Sequence, residues 1–317
     1  MSDAPRVAIV LNPASAAGRT GAAAGLIVDA ARARASSVTL LRTERPGHAM
    51  ALAAQAVADG AELVIAAGGD GTANEVVNGL LTAQESGLPL ATFALLPAGT
   101  GGDLVRTLRV PRGHAAAMEA IWGAPTRRID VMRLQFVDHQ GQSARRWCVN
   151  VAGIGMNGDV VARANRRSKR LGGRATFLLA TLESLVRYRP GPVRLRWRDA
   201  TDQEGEWEGT LSGAFLANGG WCGGGMWVGR GGAIDDGQLD LTVVPDLPLF
   251  QALIGAPRLF SGSLERVKGV SRVAVRWLEA VALDGAAIRF DCDGEQPGVL
   301  PLRAEVCEKA LPVRALF

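Results

Sequence analysis

The sequence predicts an α/β protein of two parts, a doubly wound layer followed by a mostly antiparallel β half. Three observations carry this. From Arg6 to Trp122, short apolar runs alternate with helical patterns, as in a parallel sheet wound with helices. Several of those runs end abruptly in small, glycine-rich turns. Beyond Arg127 the apolar runs follow one another as strands, with one long helical pattern among them. The 317 residues leave room for two domains and a substantial core. The composition shift near Ala124 to Arg128 sets the expected domains at 1–127 and 128–306.

In chain order, Arg6 to Leu11 reads as the first buried strand, ended by Asn12-Pro13-Ala14-Ser15. Gly18-Arg19-Thr20-Gly21 leads into an Ala-rich helix from Ala22 to Arg34, with Arg19 either reaching an anion or solvated. Val38 to Arg42 is a strand and Pro46 to Ala58 a helix, with His48 capping or packing at its start. Leu63 to Ala67 is a fully buried strand that breaks at Gly68-Gly69-Asp70-Gly71. Thr72 is expected to cap the following helix, whose apolar positions are Val76, Val77, Leu80 and Leu81. A glycine turn ahead of a helix N-terminus is a site for a phosphate, and Asp70 on that turn calls for Mg²⁺ to separate like charges. Ala91 to Leu96 repeats the pattern. It ends in Pro97-Ala98-Gly99-Thr100-Gly101-Gly102-Asp103, with Arg106 following and a helix over Gly113 to Trp122. In an open parallel sheet such turns gather at the carboxyl ends of the strands, where ligands bind.

The second half reads as strands over Arg128 to Leu134 (with Asp130), Arg146 to Ala152 (with Asn150), Val193 to Arg198, Trp207 to Ala217, Leu239 to Val244, Val267 to Trp277, Ile288 to Cys292 and Leu302 to Cys307. Helices are expected over Pro248 to Phe260 and over Arg174 to Tyr188. The latter places Phe177, Leu178, Leu182, Leu185 and Val186 on one face. Ahead of it, Arg163, Arg166, Arg167, Lys169, Arg170 and Arg174 form a basic run without an acid, suited to a solvated loop or to an anionic membrane surface. Ala217-Asn218-Gly219-Gly220 through Gly225 needs unusual backbone angles or close approach to a ligand. The turn from Gly231 to Asp240 is either a cation site built on Asp236 or a plain hairpin turn. Asp291-Cys292-Asp293-Gly294-Glu295 offers paired carboxylates, as a proton acceptor or as a solvated turn.

Composition narrows the partners. Hydrophobic residues make up 48% and charged residues 21%, with a net charge of +4 and a pI near 9.2. This suits an anionic ligand or surface. One Tyr and 8 Phe give no stacking platform, so no nucleic acid is expected. Cys148, Cys222, Cys292 and Cys307 are far apart in sequence without a C-x-x-C pair. A zinc cluster and a disulfide framework are therefore not expected, and a cytoplasmic setting is. The chain passes from MSDAPR straight into a strand, so no signal peptide is expected, and any membrane contact is peripheral.

Taken in order, Asn12-Pro13 with Gly18, GGDGTANE, PAGTGGD, NVAGIG, ANGGWCGGG, Asp236-Gly237 and the DGE of Asp293 to Glu295 resemble the diacylglycerol kinase catalytic family of soluble bacterial lipid kinases, related to sphingosine and ceramide kinases. The resemblance covers nearly the whole chain. It implies an NAD kinase-like α/β nucleotide-binding domain, a β-sandwich lipid domain and a tail, about residues 307–317, returning to the first domain. It implies ATP held by Asn12, Pro13, Ala14, Ser15, Ala16, Thr43, Gly69, Asp70, Gly71, Thr72, Ala73, Asn74, Glu75 and Thr100. Asp70, Asp103 and Asp130 match an acidic network around catalytic Mg²⁺. Asp293 matches a general base with Glu295 beside it, and a structural Mg²⁺ falls to Asp236 with the carbonyls of Ala233 and Gln238. The implied activity is phosphorylation of a diacylglycerol-like or long-chain-base hydroxyl, with a homodimer admissible. An NAD kinase and a non-catalytic lipid-binding protein are the alternatives. The chain departs from the family pattern at Gly102, where Asn is usual, and at Met156-Asn157, where an aromatic and an Asp are usual.

Overall fold

The computed structural model describes residues 4–98, 102–166, 176, 179–181, 183–184, 187–230 and 233–317. The chain forms two compact units, one of Met1–Ile129 with Lys309–Phe317 and one of Asp130–Glu308.

The first unit is a parallel sheet wound with helices. Strands β1 (Arg6–Leu11), β2 (Ser37–Arg42), β3 (Leu63–Gly68) and β4 (Thr92–Pro97) lie in the order β2-β1-β3-β4. Every residue of β3 is buried, which is why it reads as an unbroken apolar run rather than an alternating one. Val313 of the returning tail pairs in parallel with Phe93 on the free side of β4. Between the strands run α1 (Arg19–Ala22), α2 (Ala24–Arg32), α3 (His48–Ala58), α4 (Asp70–Glu85), α5 (Asp103–Thr107) and α6 (His114–Gly123). Helices α3 and α4 meet at Gly79, where a Cβ would lie 2.3 Å from the Met50 carbonyl oxygen. The tail is also fixed by Arg127, which donates to the Phe317 carbonyl and stacks over its ring.

The second unit is antiparallel. Its strands are β5 (Thr126–Asp138, from Asp130 onward), β6 (Ser143–Cys148), β7 (Val151–Gly155), β8 (Gly191–Asp199), β9 (Glu204–Ala217), β10 (Trp221–Cys222), β11 (Met226–Trp227), β12 (Leu239–Pro245), β13 (Ser271–Ala282), β14 (Arg289–Cys292) and β15 (Glu295–Arg314, to Glu308). Strand β12 bonds to β9 on one side and β13 on the other, and β8 joins β13 to β9, so these four close on themselves. On β8, Val193 and Leu195 point into the core. Arg194, Arg196 and Arg198 point out and pair across to Glu208, Glu206 and Glu204. The core is built from Leu195, Leu211, Leu216, Leu241, Leu278, Phe290 and Leu302. Helix α7 (Met156–Arg166) packs so closely on β14 that a Cβ on Gly158 would lie 2.6 Å from the Arg289 carbonyl carbon.

Several expected elements are corrected. The strand over Arg146 to Ala152 is two strands, broken at Val149-Asn150 because those amides bond to a side chain rather than to a neighbour strand. The strand expected from Val267 starts at Ser271. Leu264–Arg266 is a 3₁₀ turn, and Gly269 takes φ +93°. The helix over Pro248 to Phe260 is two short helices, Leu249–Gly255 and Arg258–Ser261, separated at Pro257, which has no N–H to give to a continuing helix. The strand over Leu302 to Cys307 extends to Glu295–Arg314, its outward polar residues having hidden its length. The hairpin of β10 and β11, with Trp221 stacked on Trp227 at 5.2 Å, had no strand signal in its glycine-rich sequence.

Candidate active site

In the first unit the turns of interest lie at the carboxyl ends of β1, β2, β3 and β4. After β1, the Asn12 N–H donates to Ala67 O and its side-chain amide to Thr72 Oγ1 at 3.2 Å, which ties the first turn to the third. Asn12 Oδ1 accepts the Ala14 N–H and its carbonyl accepts the Ser15 hydroxyl. Ala16 and Ala17 then take left-handed backbone angles, φ 53° and 57°. Pro13 presses against Gly21, where a Cβ would lie 3.0 Å from the Pro13 carbonyl. Thr43 follows β2 with its N–H on Leu11 O. Arg19 donates to Ala16 O at the surface.

Helix α4 begins at Asp70 with Gly69 as N-cap and no capping side chain. This corrects Thr72, whose hydroxyl faces Asn12 and sits against Gly68, where a Cβ would lie 2.5 Å from Thr72 Oγ1. Nothing lies within 4 Å of a Cβ position on Gly69. An uncapped helix N-terminus with open space over a glycine fits a phosphate. Asp70 accepts the Asp103 N–H through Oδ2 at 2.9 Å, joining the turn after β3 to the turn after β4. Asp103, itself buried, pairs with Arg106 at 2.5 Å. A Cβ on Gly102 would meet Val105 Cγ2 at 2.6 Å and Asp70 Oδ1 at 3.0 Å, so in this chain the departure to glycine suits the close approach of the two turns. Ala73 and Asn74 are buried within α4. Glu75 accepts the Gly47 and Ala49 N–H groups at the start of α3, at 2.8 and 3.0 Å. Thr100, with Gly99 and Gly101, lies outside the described residues, as do Arg167, Lys169, Arg170, Arg174, the apolar face at Phe177, Leu178, Leu182, Leu185 and Val186, and Gly231-Gly232.

In the second unit, stretches far apart in sequence converge on Asp293. Its carboxylate accepts three successive backbone N–H groups, Val149 on Oδ2 at 2.8 Å and Asn150 and Val151 on Oδ1 at 2.9 and 3.0 Å. Asp293 has φ 50° and Gly294 φ 86°, the tight turn between β14 and β15 that aims this side chain. Asn150 accepts the Asn218 and Gly219 N–H groups on its carbonyl. Asn218 in turn donates its amide to Asp130 O and Val149 O, both at 2.8 Å. Glu295 opens β15, opposite Cys292.

Asp130, fully buried, accepts the Gly237 N–H at 2.6 Å and donates its own N–H to Ile234 O, which fastens the Asp236 turn. Asp236 accepts the Gln238 N–H at 3.0 Å. Partial burial raises the Asp236 carboxyl above its ordinary range. The Gln238 N–H opposes this, and the Asp130 and Asp240 charges add to it. Crowded carboxylates beside turn carbonyls are a hard-oxygen donor set, and the raised Asp236 is the condition a divalent cation relieves.

The sequence named Asp291 and Asn157 without their contacts and gave no sign that Cys148 and Cys292 meet. Cys148 and Cys292 are distant in sequence, yet their sulfurs and an Asp293 oxygen lie within 4.8 Å of one another. Burial first, then Cys292 and Asp293, push the Cys148 thiol well above its ordinary value, so it donates to Asp293 Oδ1 at 3.3 Å. Asp291 lies against Gly153, where a Cβ would sit 2.3 Å from its Oδ1. Burial pushes the Asp291 carboxyl up to about 8, with the Gly294 N–H opposing and the Asp293 charge adding. The departure at Asn157 places its amide on Ala214 O at 3.1 Å, beside Gly153.

Residues 6–134 match the diacylglycerol kinase catalytic domain, and residues 150–315 match the YegS C-terminal NAD kinase beta sandwich-like domain. A probable lipid kinase YegS-like of Xanthomonas euvesicatoria pv. vesicatoria is 31% identical over 83% of this chain and 82% of its own length. A protein of the same description from Pseudomonas aeruginosa is 29% identical over 98% of this chain and 94% of its own. The fold is also that of a crystal structure of a putative diacylglycerol kinase from Bacillus anthracis str. Sterne, with a TM-score of 0.78 at 24% identity over 100% of this chain and 97% of that one. From these matches, which span both units, the chain belongs to the YegS-like lipid kinase family.

Proposed function

We propose that this chain transfers the γ-phosphate of ATP to the hydroxyl of a diacylglycerol-like or long-chain-base lipid, with Mg²⁺. The observation that carries the reading is Asp293, whose carboxylate is fixed by Val149, Asn150 and Val151 at the junction of three separate motif stretches. Phosphoryl transfer needs positioning, charge neutralisation and a proton acceptor. We assign positioning of the phosphates to the turns of Asn12 to Ala16, Thr43, Gly69 to Glu75 and Thr100. Within these, the backbone amides at the start of α4 are the best suited donors. Mg²⁺, when bound, supplies charge neutralisation, and Asp70, Asp103 and Asp130 are the carboxylates assigned to it. Asp293 takes the proton of the lipid hydroxyl, with Glu295 alongside. Asp236 with the carbonyls of Ala233 and Gln238 holds a second, structural Mg²⁺. Among the described residues no helix is long and apolar enough to cross a membrane, which is consistent with working on lipid from the bilayer surface.

The reading is tested by giving the protein γ-labelled ATP and Mg²⁺ with either dispersed diacylglycerol or NAD. Label on the glycerolipid supports it, and label on NAD alone overturns it.

A further inference from the structure

The segment between β12 and β13 in the second unit is held firmly from beneath and left apolar above. Leu247, Leu259, Leu264, Val267 and Val270 pack into a small core with Val228 and Met226. Gly255 closes on Val267, where a Cβ would lie 3.0 Å from Cγ2, and Gly262 closes on the Trp227 ring, where a Cβ would lie 2.9 Å from Cδ2. Against that anchoring, Phe250 is 76%, Ile254 59% and Phe260 62% exposed. Phe250 and Ile254 are one helical turn apart and share a side of Leu249–Gly255. Of the other large exposed apolar side chains among the described residues, Leu26, Leu179 and Leu316 stand singly and Val281 and Leu283 form a pair, whereas these three fall within eleven residues. A fold that half-buries Leu259 against this core and leaves the adjacent Phe260 exposed is presenting a surface.

Positive charge prevails around the segment, with Arg258, Arg266 and Lys268 against Asp246 and Glu265. From Leu247 to Leu264 there is no acid, and Arg258 is the one cation. Two backbone contacts draw two further cations alongside. Arg258 donates to Arg266 O at 2.6 Å, and Gln251, on the exposed helix, donates to Lys268 O at 2.8 Å. Both Arg266 and Lys268 are exposed. Of the two acids of this stretch, Glu265 is bound to Arg272 at 3.2 Å and Asp246 stands at the end of β12, ahead of the exposed helix. Large apolar side chains projecting from a short helical segment, flanked by an excess of cations, are the pattern of an interfacial anchor.

We propose that Phe250, Ile254 and Phe260 insert into an anionic bilayer surface, with Arg258, Arg266 and Lys268 meeting its headgroups. The choice of a bilayer over another occupant rests on the lipid kinase reading and on the sign of these charges.

The test is co-sedimentation of the full chain with vesicles of phosphatidylcholine, with and without phosphatidylglycerol. Binding should require phosphatidylglycerol and weaken with salt. The triple variant Phe250→Ser, Ile254→Ser, Phe260→Ser should bind at least about tenfold more weakly, and Phe250→Ser alone should show part of that loss. Arg266→Gln with Lys268→Gln should lower binding and flatten its salt dependence. The triple variant should melt with the wild type and keep its turnover on detergent-dispersed lipid. Vesicle binding unchanged in the triple variant overturns the proposal. So does a wild-type dimer by light scattering that the triple variant abolishes while vesicle binding persists, since the patch then belongs to a second copy. A wild type that binds vesicles through these residues but transfers no phosphate leaves the docking standing and removes the kinase reading.

Discussion

The backbone N–H of Asp103 donates to the Asp70 carboxylate at 2.9 Å, so one acid of the first unit fastens the other's turn in place. Asp70 therefore has two separable properties, its charge and its acceptor geometry. Asp70→Asn keeps an acceptor for Asp103 and removes the charge. It should lower phosphate transfer by about 10²–10³ with little change in melting temperature. Asp70→Ala removes both, and should lower stability further by about 1.5–3 kcal/mol, the worth of a hydrogen bond to a charged group. Equal melting temperatures for the two variants would show that the contact does not hold the turns together.

Asp293→Asn should lower turnover by about 10²–10⁴ while nucleotide binding persists. An amide has one acceptor oxygen, so it cannot receive both the Val149 N–H on one side and the Asn150 and Val151 N–H groups on the other. One buried donor loses its partner, and stability should fall by about 1–3 kcal/mol. Nucleotide affinity, turnover and melting are measured on the same preparation. Near-normal turnover would remove Asp293 from the role of base.

Asp291 gives a pH signature. Its carboxyl is raised from 3.8 to about 8 in the folded protein, so the native state keeps a proton that the unfolded chain releases. Stability from this group is present at acid pH and is lost as pH rises from about 4 to about 8. A rise of this size is worth several kcal/mol at full burial, and less here because the residue keeps partial solvent contact. Asp291→Asn does not titrate, so its melting temperature should gain on the wild type between pH 5 and pH 8. Parallel curves across that window would contradict the burial-driven shift.

The parallel layer was legible from sequence because β1, β3 and β4 are buried almost throughout and announce themselves as apolar runs, while β2, at the edge, is only partly covered. The glycine turns were legible because Gly68 and Gly102 sit where a Cβ has no room. The helix start was not. Thr72 is a good capping residue, but its hydroxyl is taken by Asn12, a contact sixty residues away in sequence that no local rule reveals. The same holds for the break at Val149-Asn150, which Asp293 creates from the far end of the chain. Cys148 and Cys292 look unrelated until β6 and β14 bring their sulfurs together. The hairpin of Trp221 and Trp227 was hidden by glycines, since its two-residue strands carry no period.

If Asp236 holds a divalent cation, strong chelator should lower the melting temperature of the wild type, and added Mg²⁺ should restore it. Asp236→Ala should lower stability and activity together and be indifferent to chelator. A wild-type melting curve unmoved by chelator, with a variant that melts alongside it, would leave only a turn fastened by Asp130 through Gly237.

The central claim is phosphate transfer from ATP to a lipid hydroxyl with Asp293 as proton acceptor. It is tested by incubating the wild type and Asp293→Asn with γ-labelled ATP, Mg²⁺ and a total bacterial lipid extract, then separating organic from aqueous phases. Label should enter the organic phase with the wild type, on a diacylglycerol-like or long-chain-base-like lipid, and fall by about 10²–10⁴ with Asp293→Asn. Organic-phase label equal in the two proteins would contradict the mechanism, and label confined to the aqueous phase with a lipid-rich extract would contradict the function.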